Sequence, residues 1–432
     1  MKYIKKLIFL SLFVFVSIFR INARTGAWSG ELEVQDIKIP LVFHLDDEKP
    51  TLDSPAQGVK GMPIQLVRIE TDSISINIPK IGATYNGKCK GLEIIGKFTQ
   101  WGMTLPLILH SGDTTFHRPQ TPKPPFPYQQ EEVSFSNGEA VLKGTLTLPE
   151  GYNSETPVVI MVTGSGLQNR DEEIYEHKPF AVIADALARN GIASLRYDDR
   201  GFAESTGDVV NCTTEDLMND ALAGIDLLRR RFNKVGVLGH SEGGSIALLL
   251  GADKKADFIV SLAGMVISGK ETLMDQNRSA FNNTNYPQEV ADEYCDLISF
   301  IFDRDATASE KLEKSHLPAD LKQNLKAVVQ QMKTPYMQYF VALDPSKNLG
   351  DIKCPVLALN GTHDTQVCYE KNLEALDKGL PKNDLNKTVA LNGLNHLFQH
   401  CETGALGEYA LIEETISPEV LTLITDFIRL QK

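Results

Sequence analysis

Three side chains in this sequence have the types and the chain order needed for nucleophilic attack on a carbonyl carbon: Ser241, Asp364 and His396. Ser241 stands in Gly239-His240-Ser241-Glu242-Gly243, between the apolar runs "VGVL" and "SIALLL". A serine hydroxyl is a weak nucleophile until a base takes its proton. Glycines on both sides of a serine, after a strand and before a helix, permit a turn sharp enough to lift the hydroxyl clear of a sheet. The helix N-terminus adds positive backbone potential at the same point. The pentapeptide alone would be an ordinary Gly-rich turn; the strand before it and the helix after it make it a nucleophile elbow.

For such a serine, the acid and then the base follow at the ends of later strands. Asp364 ends "CPVLALNGTHD" and His396 ends "KTVALNGLNH". His396 is expected to take the Ser241 proton and later give it to the leaving group. Asp364 is expected to hold the imidazole in the right tautomer and stabilise its charged form. Other acids and bases lie close by. His363 reads as a loop residue beside the acid, and His400 as a residue one helical turn beyond the base. Asp351 is at the wrong end of its strand, and His240 is expected to pack into the fold. An oxyanion hole needs two backbone N–H donors. Glu242, directly after the serine, is expected to supply one. Ser165 or Gly166 in "VTGSGLQNRDEE" supplies the other, with Ser165 favoured; otherwise the glycines there only permit a turn. Arg196, Asp198 and Arg200 in "LRYDDRGFAES" read as an ion-paired loop. "NRDEE" (169–173) offers charges that could face the pocket and bind a polar substrate group, the weaker of its readings.

The elements that must position these residues follow from hydrophobic period. Residues 24–117 alternate apolar and polar side chains, as in "DSISINIPKIGATYNGKCKGLEIIGKF", and read as a small β domain, a sheet or partly closed barrel. "HRPQTPKPPFPY" has five prolines in twelve residues and fits neither a helix nor an inner strand. The stretch 118–130 is therefore a stiff linker. From 131 to 432, after an antiparallel hairpin, strands such as "PVVIMVTG" alternate with helices such as "KPFAVIADALARNG", which implies a doubly wound, mostly parallel α/β sheet. Thr213 or Thr214 is expected to cap the helix "TEDLMNDALAGIDLL". Residues 266–350 contain only helical patterns, an insertion placed to form a lid.

Composition narrows the function. Of 432 residues, 42% are hydrophobic and 23% charged, as in ordinary globular proteins, and the net charge is −13. That charge argues against nucleic acid or anionic lipid as a partner. Residues 1–23 combine Lys2, Lys5 and Lys6 with an apolar run from Leu7 to Phe19 and end in Ile-Asn-Ala. They read as an export signal, with an uncleaved anchor as the alternative. Its loss takes four positive charges, leaving −17. A secreted or periplasmic protein with no stable membrane anchor is expected. The six cysteines form no CxxC pair, and an exported chain permits disulfides. Cys368 and Cys401, each shortly after Asp364 or His396, are suggested as one pair.

At "TGSGLQNRDE", "RYDDRGFAES", "GHSEGG", "GTHD" and "LNHLF", the chain resembles the α/β-hydrolase superfamily, in its serine aminopeptidase-like branch. With the N-terminal β domain and linker it is similar to two-domain exported esterases of the EstD type. The resemblance implies an α/β-hydrolase sheet with a helical lid after a small all-β domain. It also implies hydrolysis of short-chain acyl esters without metal or organic cofactor. Thr163 departs from the family's usual histidine, and Ala203 from a common glycine. A peptidase of the same fold would need an acidic anchor for a substrate amine, for which Glu242, Glu172 and Glu173 are available. Haloalkane dehalogenation would require aspartate at position 241. A non-catalytic binding protein on this fold is disfavoured by the complete set of three residues. Glycan binding, control of lid access and a dimer contact are equally open for the β domain.

Overall fold

Alternation of apolar and polar residues, clearest in β-strand 73–78, gives the strands of residues 26–111 a buried face. The computed structural model describes residues 26–431 apart from 35–36, 46–48, 55–56, 58, 70–72, 92, 113–116, 283 and 285. The expected signal segment 1–23 lies outside the described residues. The described chain divides into two units, Met1–Thr115 and Phe116–Lys432.

The first unit is a nine-stranded antiparallel sheet. Its strands are β1 (Gly26–Val34), β2 (Ile37–Leu45), β3 (Thr51–Ser54), β4 (Val59–Pro63), β5 (Gln65–Ile69), β6 (Ser73–Ile78), β7 (Ala83–Lys90), β8 (Glu93–Gln100) and β9 (Met103–Ser111). They lie in the order β4-β3-β2-β1-β9-β8-β7-β6-β5. In β6, "SISINI" buries every second residue, so Ile74, Ile76 and Ile78 enter one core with Phe43, Tyr85 and Leu109. The Tyr85 hydroxyl is satisfied inside that core, donating to the carbonyls of Ile94 (2.9 Å) and Leu107 (3.2 Å). A Cβ at Gly96 would lie 2.6 Å from the Tyr85 ring, which explains the missing side chain.

The second unit carries an eight-stranded mixed sheet. A hairpin of β10 (Gln129–Asn137) and β11 (Ala140–Leu148) precedes β12 (Val158–Val162), α1 (Pro179–Arg189), β13 (Ala193–Tyr197), α2 (Thr214–Leu228), β14 (Val235–His240), α3 (Glu242–Ala252) and β15 (Ile259–Leu262). Five helices follow: α4 (Gly269–Asn282), α5 (Gln288–Phe302), α6 (Ala308–Lys314), α7 (Ala319–Gln331) and α8 (Pro335–Ala342). The sheet then resumes with β16 (Val356–Gly361), α9 (Tyr369–Gly379) and β17 (Lys387–Leu391), before α10 (Leu406–Tyr409) and α11 (Pro418–Arg429).

The order is β10-β11-β13-β12-β14-β15-β16-β17, parallel from β13 onward and antiparallel in the first two pairings. Central strands are buried throughout because helices cover both faces. Val158, Ile160 and Val162 pack towards α2, α3 and α9, whereas Val159 and Met161 pack towards α1 and α11. The α2 N-terminus is capped at Thr213, whose backbone N–H donates to Asp216 at 2.9 Å. Helices α4–α8 hold a separate apolar cluster that includes Ile298 and Leu325.

The suggested Cys368–Cys401 disulfide does not form; both thiols are free. Cys368 lies beside Glu370 at 3.2 Å, and Cys401 faces the Gly393 carbonyl at 3.5 Å. Proximity in sequence to Asp364 and His396 thus does not make the two a pair.

Candidate active site

The turn from β14 to α3 puts Ser241 in a strained backbone conformation, φ +53° and ψ −118°. Such a conformation costs a non-glycine residue on the order of 1–3 kcal/mol and persists where its surroundings fix it. Here the Ser241 N–H donates to the Leu262 carbonyl at 2.8 Å. Close packing explains the flanking glycines. A Cβ on Gly239 would stand 1.9 Å from the Gly243 oxygen, and one on Gly243 would stand 2.1 Å from the Val162 oxygen.

The next two parallel strands deliver the candidate acid and base. Asp364 follows β16 and His396 follows β17, and His396 Nδ1 lies 2.8 Å from Asp364 Oδ2. Asp364 Oδ1 accepts the backbone N–H groups of Gln366 (2.8 Å) and Val367 (2.9 Å), while Asn360 donates to Oδ2 at 2.9 Å. With every lone-pair direction engaged, the carboxylate cannot rotate away from the imidazole. His396 and Ser241 line one cavity of about 280 Å³. Leu273 and Gln276 of α4, and Tyr336, Met337 and Phe340 of α8, close its other side. The arrangement presents a hydroxyl, an oriented imidazole and an apolar wall to one small space, as acyl transfer requires.

The loop after β12 forms the cavity's third side. Ser165 lies on the cavity wall; Gly166, at φ +94°, does not. Among the described residues, the N–H groups of Ser165 and Glu242 have no acceptor, and Glu242 opens α3, where a helix leaves its donors unpaired. The Gly164 N–H is already engaged with Glu172 Oε1 at 2.8 Å. Asp199 holds the loop at two points, accepting from the Thr163 hydroxyl (2.9 Å) and the Gln168 N–H (2.8 Å). Burial pushes the Asp199 carboxyl up to about 8, against the lowering effect of those hydrogen bonds.

Glu242 has its own partners. Its Oε1 accepts from Thr214 at 2.6 Å and its Oε2 from Tyr336 at 2.5 Å. The Tyr336 hydroxyl also interacts with the Ser165 side chain. Burial, together with the Glu242 charge, holds that phenol well above its ordinary range. One residue of the inserted helices thus touches both neighbours of the candidate oxyanion position.

Residues 137–398 match the model of the X-Pro dipeptidyl-peptidase (S15) family. The chain belongs to this family. Esterase EstD of Thermotoga maritima is 29% identical to this S15 member over 275 residues. The match takes in 63% of this chain and 61% of EstD, so the chain spans less than two thirds of that relative's length. An esterase of Pyrococcus furiosus is 16% identical, with a TM-score of 0.42 over 70% of this chain and 93% of that one. A proline iminopeptidase of Mycobacterium smegmatis is 14% identical, with a TM-score of 0.45 over 70% of this chain and 98% of that one. The strand order and crossovers of the S15 unit are those of an α/β hydrolase.

Several other ionisable groups of this S15 chain lie apart from the cavity. His400 is 65% exposed, pairs with Glu414 at 2.8 Å and sits on no helix, so it does not stand a helical turn above His396. His363 faces the Cys401 sulfur at 3.6 Å. Asp351 ends a short 3-10 turn before β16. The end of β13 and the loop after it carry ion pairs: Arg196 with Asp171, Arg170 with Asp198 (2.7 Å) and Arg200 with Asp220 (2.7 Å). Within 169–173 only Glu172 reaches the cavity; the other four border a separate surface depression. Thr163, in place of histidine, holds Asp199, and Ala203, in place of glycine, adopts φ +47°. Sequence reasoning missed the roles of Asp199, Thr214 and Tyr336. Among the described residues, no group of three His, Cys, Asp or Glu side chains is disposed to hold a metal ion, and no helix is long and apolar enough to cross a membrane.

Proposed function

We propose that the protein is an exported serine carboxylic ester hydrolase that cleaves short-chain acyl esters. One observation carries this reading: strained Ser241 shares a cavity with His396, whose far nitrogen is 2.8 Å from Asp364. His396 takes the Ser241 proton as Oγ bonds to the acyl carbon. The negative oxygen is met by the N–H groups of Glu242 and Ser165. The C–O bond to the alcohol then breaks, and His396 returns the proton to the leaving oxygen. Water, deprotonated by the same imidazole, attacks the acyl-enzyme and releases the acid and free serine. The mechanism requires no cofactor. A cavity of about 280 Å³ walled by Leu273, Met337 and Phe340 suits a short acyl chain better than a long one. Export rests on the basic and apolar start of the chain.

Peptide hydrolysis is the second reading, favoured by the family's description as an X-Pro dipeptidyl-peptidase. It needs a carboxylate free to bind a substrate amine. Both Glu242 oxygens are taken by hydroxyls, and Glu172 Oε1 by His240 and Gly164, which leaves Glu172 Oε2 at the cavity wall as the carboxylate oxygen for that role. The test is hydrolysis of p-nitrophenyl acetate, butyrate and octanoate beside aminoacyl and prolyl anilides, by the wild type and Ser241→Ala. Acetate and butyrate turnover lost in Ser241→Ala, with anilides untouched, is expected. Anilide turnover exceeding ester turnover would transfer the enzyme to the peptidases.

A further inference from the structure

We propose that His240 and Glu172 form an imidazolium–carboxylate clamp that positions His396 and the Gly164–Ser165 loop together. This inference rests on the serine-hydrolase reading of Ser241 and His396. His240 ends β14, immediately before the nucleophile, and its ring is buried. Nδ1 lies 2.9 Å from Glu172 Oε1, and Nε2 lies 2.9 Å from the carbonyl oxygen of His396. A carbonyl oxygen has no proton to give, so Nε2 carries one. Glu172 Oε1 already accepts the Gly164 N–H at 2.8 Å, which stabilises negative charge on that oxygen. The proton between Oε1 and Nδ1 therefore belongs on nitrogen. A neutral His240 would instead press a lone pair against a buried oxygen.

Two further observations point the same way. Glu172 is a non-glycine residue at φ +52° and only 3% exposed, a strained position that its surroundings must hold. The His240 and His396 rings are 4.7 Å apart at their centroids, so motion of one ring reaches the other. Three groups bear on the electrostatics: Glu172 from the loop after β12, His396 from the loop after β17, and behind it Asp364 from the loop after β16. Asp199 faces Glu172 and is held largely uncharged by burial. Desolvation works against the second proton on His240, but the charge and hydrogen bond of Glu172 outweigh it and raise its affinity. The clamp fixes the His396 backbone. By occupying the Gly164 N–H, it leaves Ser165 as the loop's next donor. His240 is thus a positioning residue that acts through His396.

The test combines imidazole ¹⁵N NMR with kinetics on p-nitrophenyl acetate. In the wild type at pH 7.5, the His240 resonances, assigned by their absence from His240→Gln, should show two protonated nitrogens. Glu172→Gln should abolish that signature. Each single variant should lower kcat about 100-fold with KM within about threefold, the scale of a misplaced catalytic group. The double variant should be no worse than the poorer single. His240→Gln leaves an uncompensated carboxylate near His396, so the acidic limb of its kcat/KM profile should move to higher pH and return in the double variant. A neutral His240 at pH 7.5, fully multiplicative losses or an unmoved limb would each overturn the clamp. If the wild type hydrolyses no ester, the esterase reading falls, while the NMR signature still decides the charge state of His240.

Discussion

The two sheets bury similar aliphatic side chains and use them differently. Among the described residues of the first unit, the buried polar side chains are Ser29 and Ser54. In the second unit Glu172, Asp199, His240, Glu242 and His396 are all buried, and they cluster where β12, β13, β14 and β17 end. Antiparallel strands return on themselves and scatter their ends over two rims. Parallel strands all finish at one edge, so loops of distant sequence meet there and can shield charge from water while pairing it. Chain direction, more than composition, decides which sheet can hold a buried polar cluster.

Breaking the cluster should have the largest consequence. Asp364→Asn keeps the shape of the acid but no longer holds the His396 tautomer. We expect kcat to fall about 10³- to 10⁴-fold, with KM little changed, in steady-state ester hydrolysis. A loss below tenfold would show that another group orients His396. Asp199 gives a sharper comparison through pH. Its carboxyl is raised by burial from an ordinary 3.8 to about 8, so its contribution to stability is complete below about pH 4 and is lost as the pH rises towards 8. In urea unfolding at pH 4.5, 6 and 8, the wild type should lose stability relative to Asp199→Asn across that window. A constant gap would show that Asp199 binds no proton in the fold. The smallest effect belongs to the first sheet. Tyr85→Phe removes a hydroxyl shared between the Ile94 and Leu107 carbonyls. The expected loss is about 1 kcal/mol of stability with unchanged kcat, read by denaturation and ester assay on one preparation.

Much of this was legible before any coordinate. Period-two alternation marks β6, and the strand–turn–helix setting marks Ser241, because both depend on neighbours in sequence. Asp364 and His396 are identifiable for a related reason: each follows an apolar run that only a buried strand explains. What escaped were contacts across the chain. Tyr336 meets Glu242 from 94 positions away, and Glu172 meets His240 from 68. Nothing periodic announces either. The Cys368–Cys401 pairing failed for the same reason, since closeness to two adjoining residues says nothing about where each thiol points.

Tyr336 has a consequence for how such an enzyme diversifies. Ser241, Asp364 and His396 all stand at strand ends, whereas α4 and α8 supply five of the residues that enclose the cavity. Four of those five can drift, and the shape of the cavity with them, while Ser241, Asp364 and His396 stay in place. Tyr336 cannot drift so freely, because its hydroxyl also satisfies the buried Glu242 carboxylate beside Ser241. A descendant that exchanged its lid for a new one would have to inherit a hydroxyl at that point, or give up the glutamate along with it.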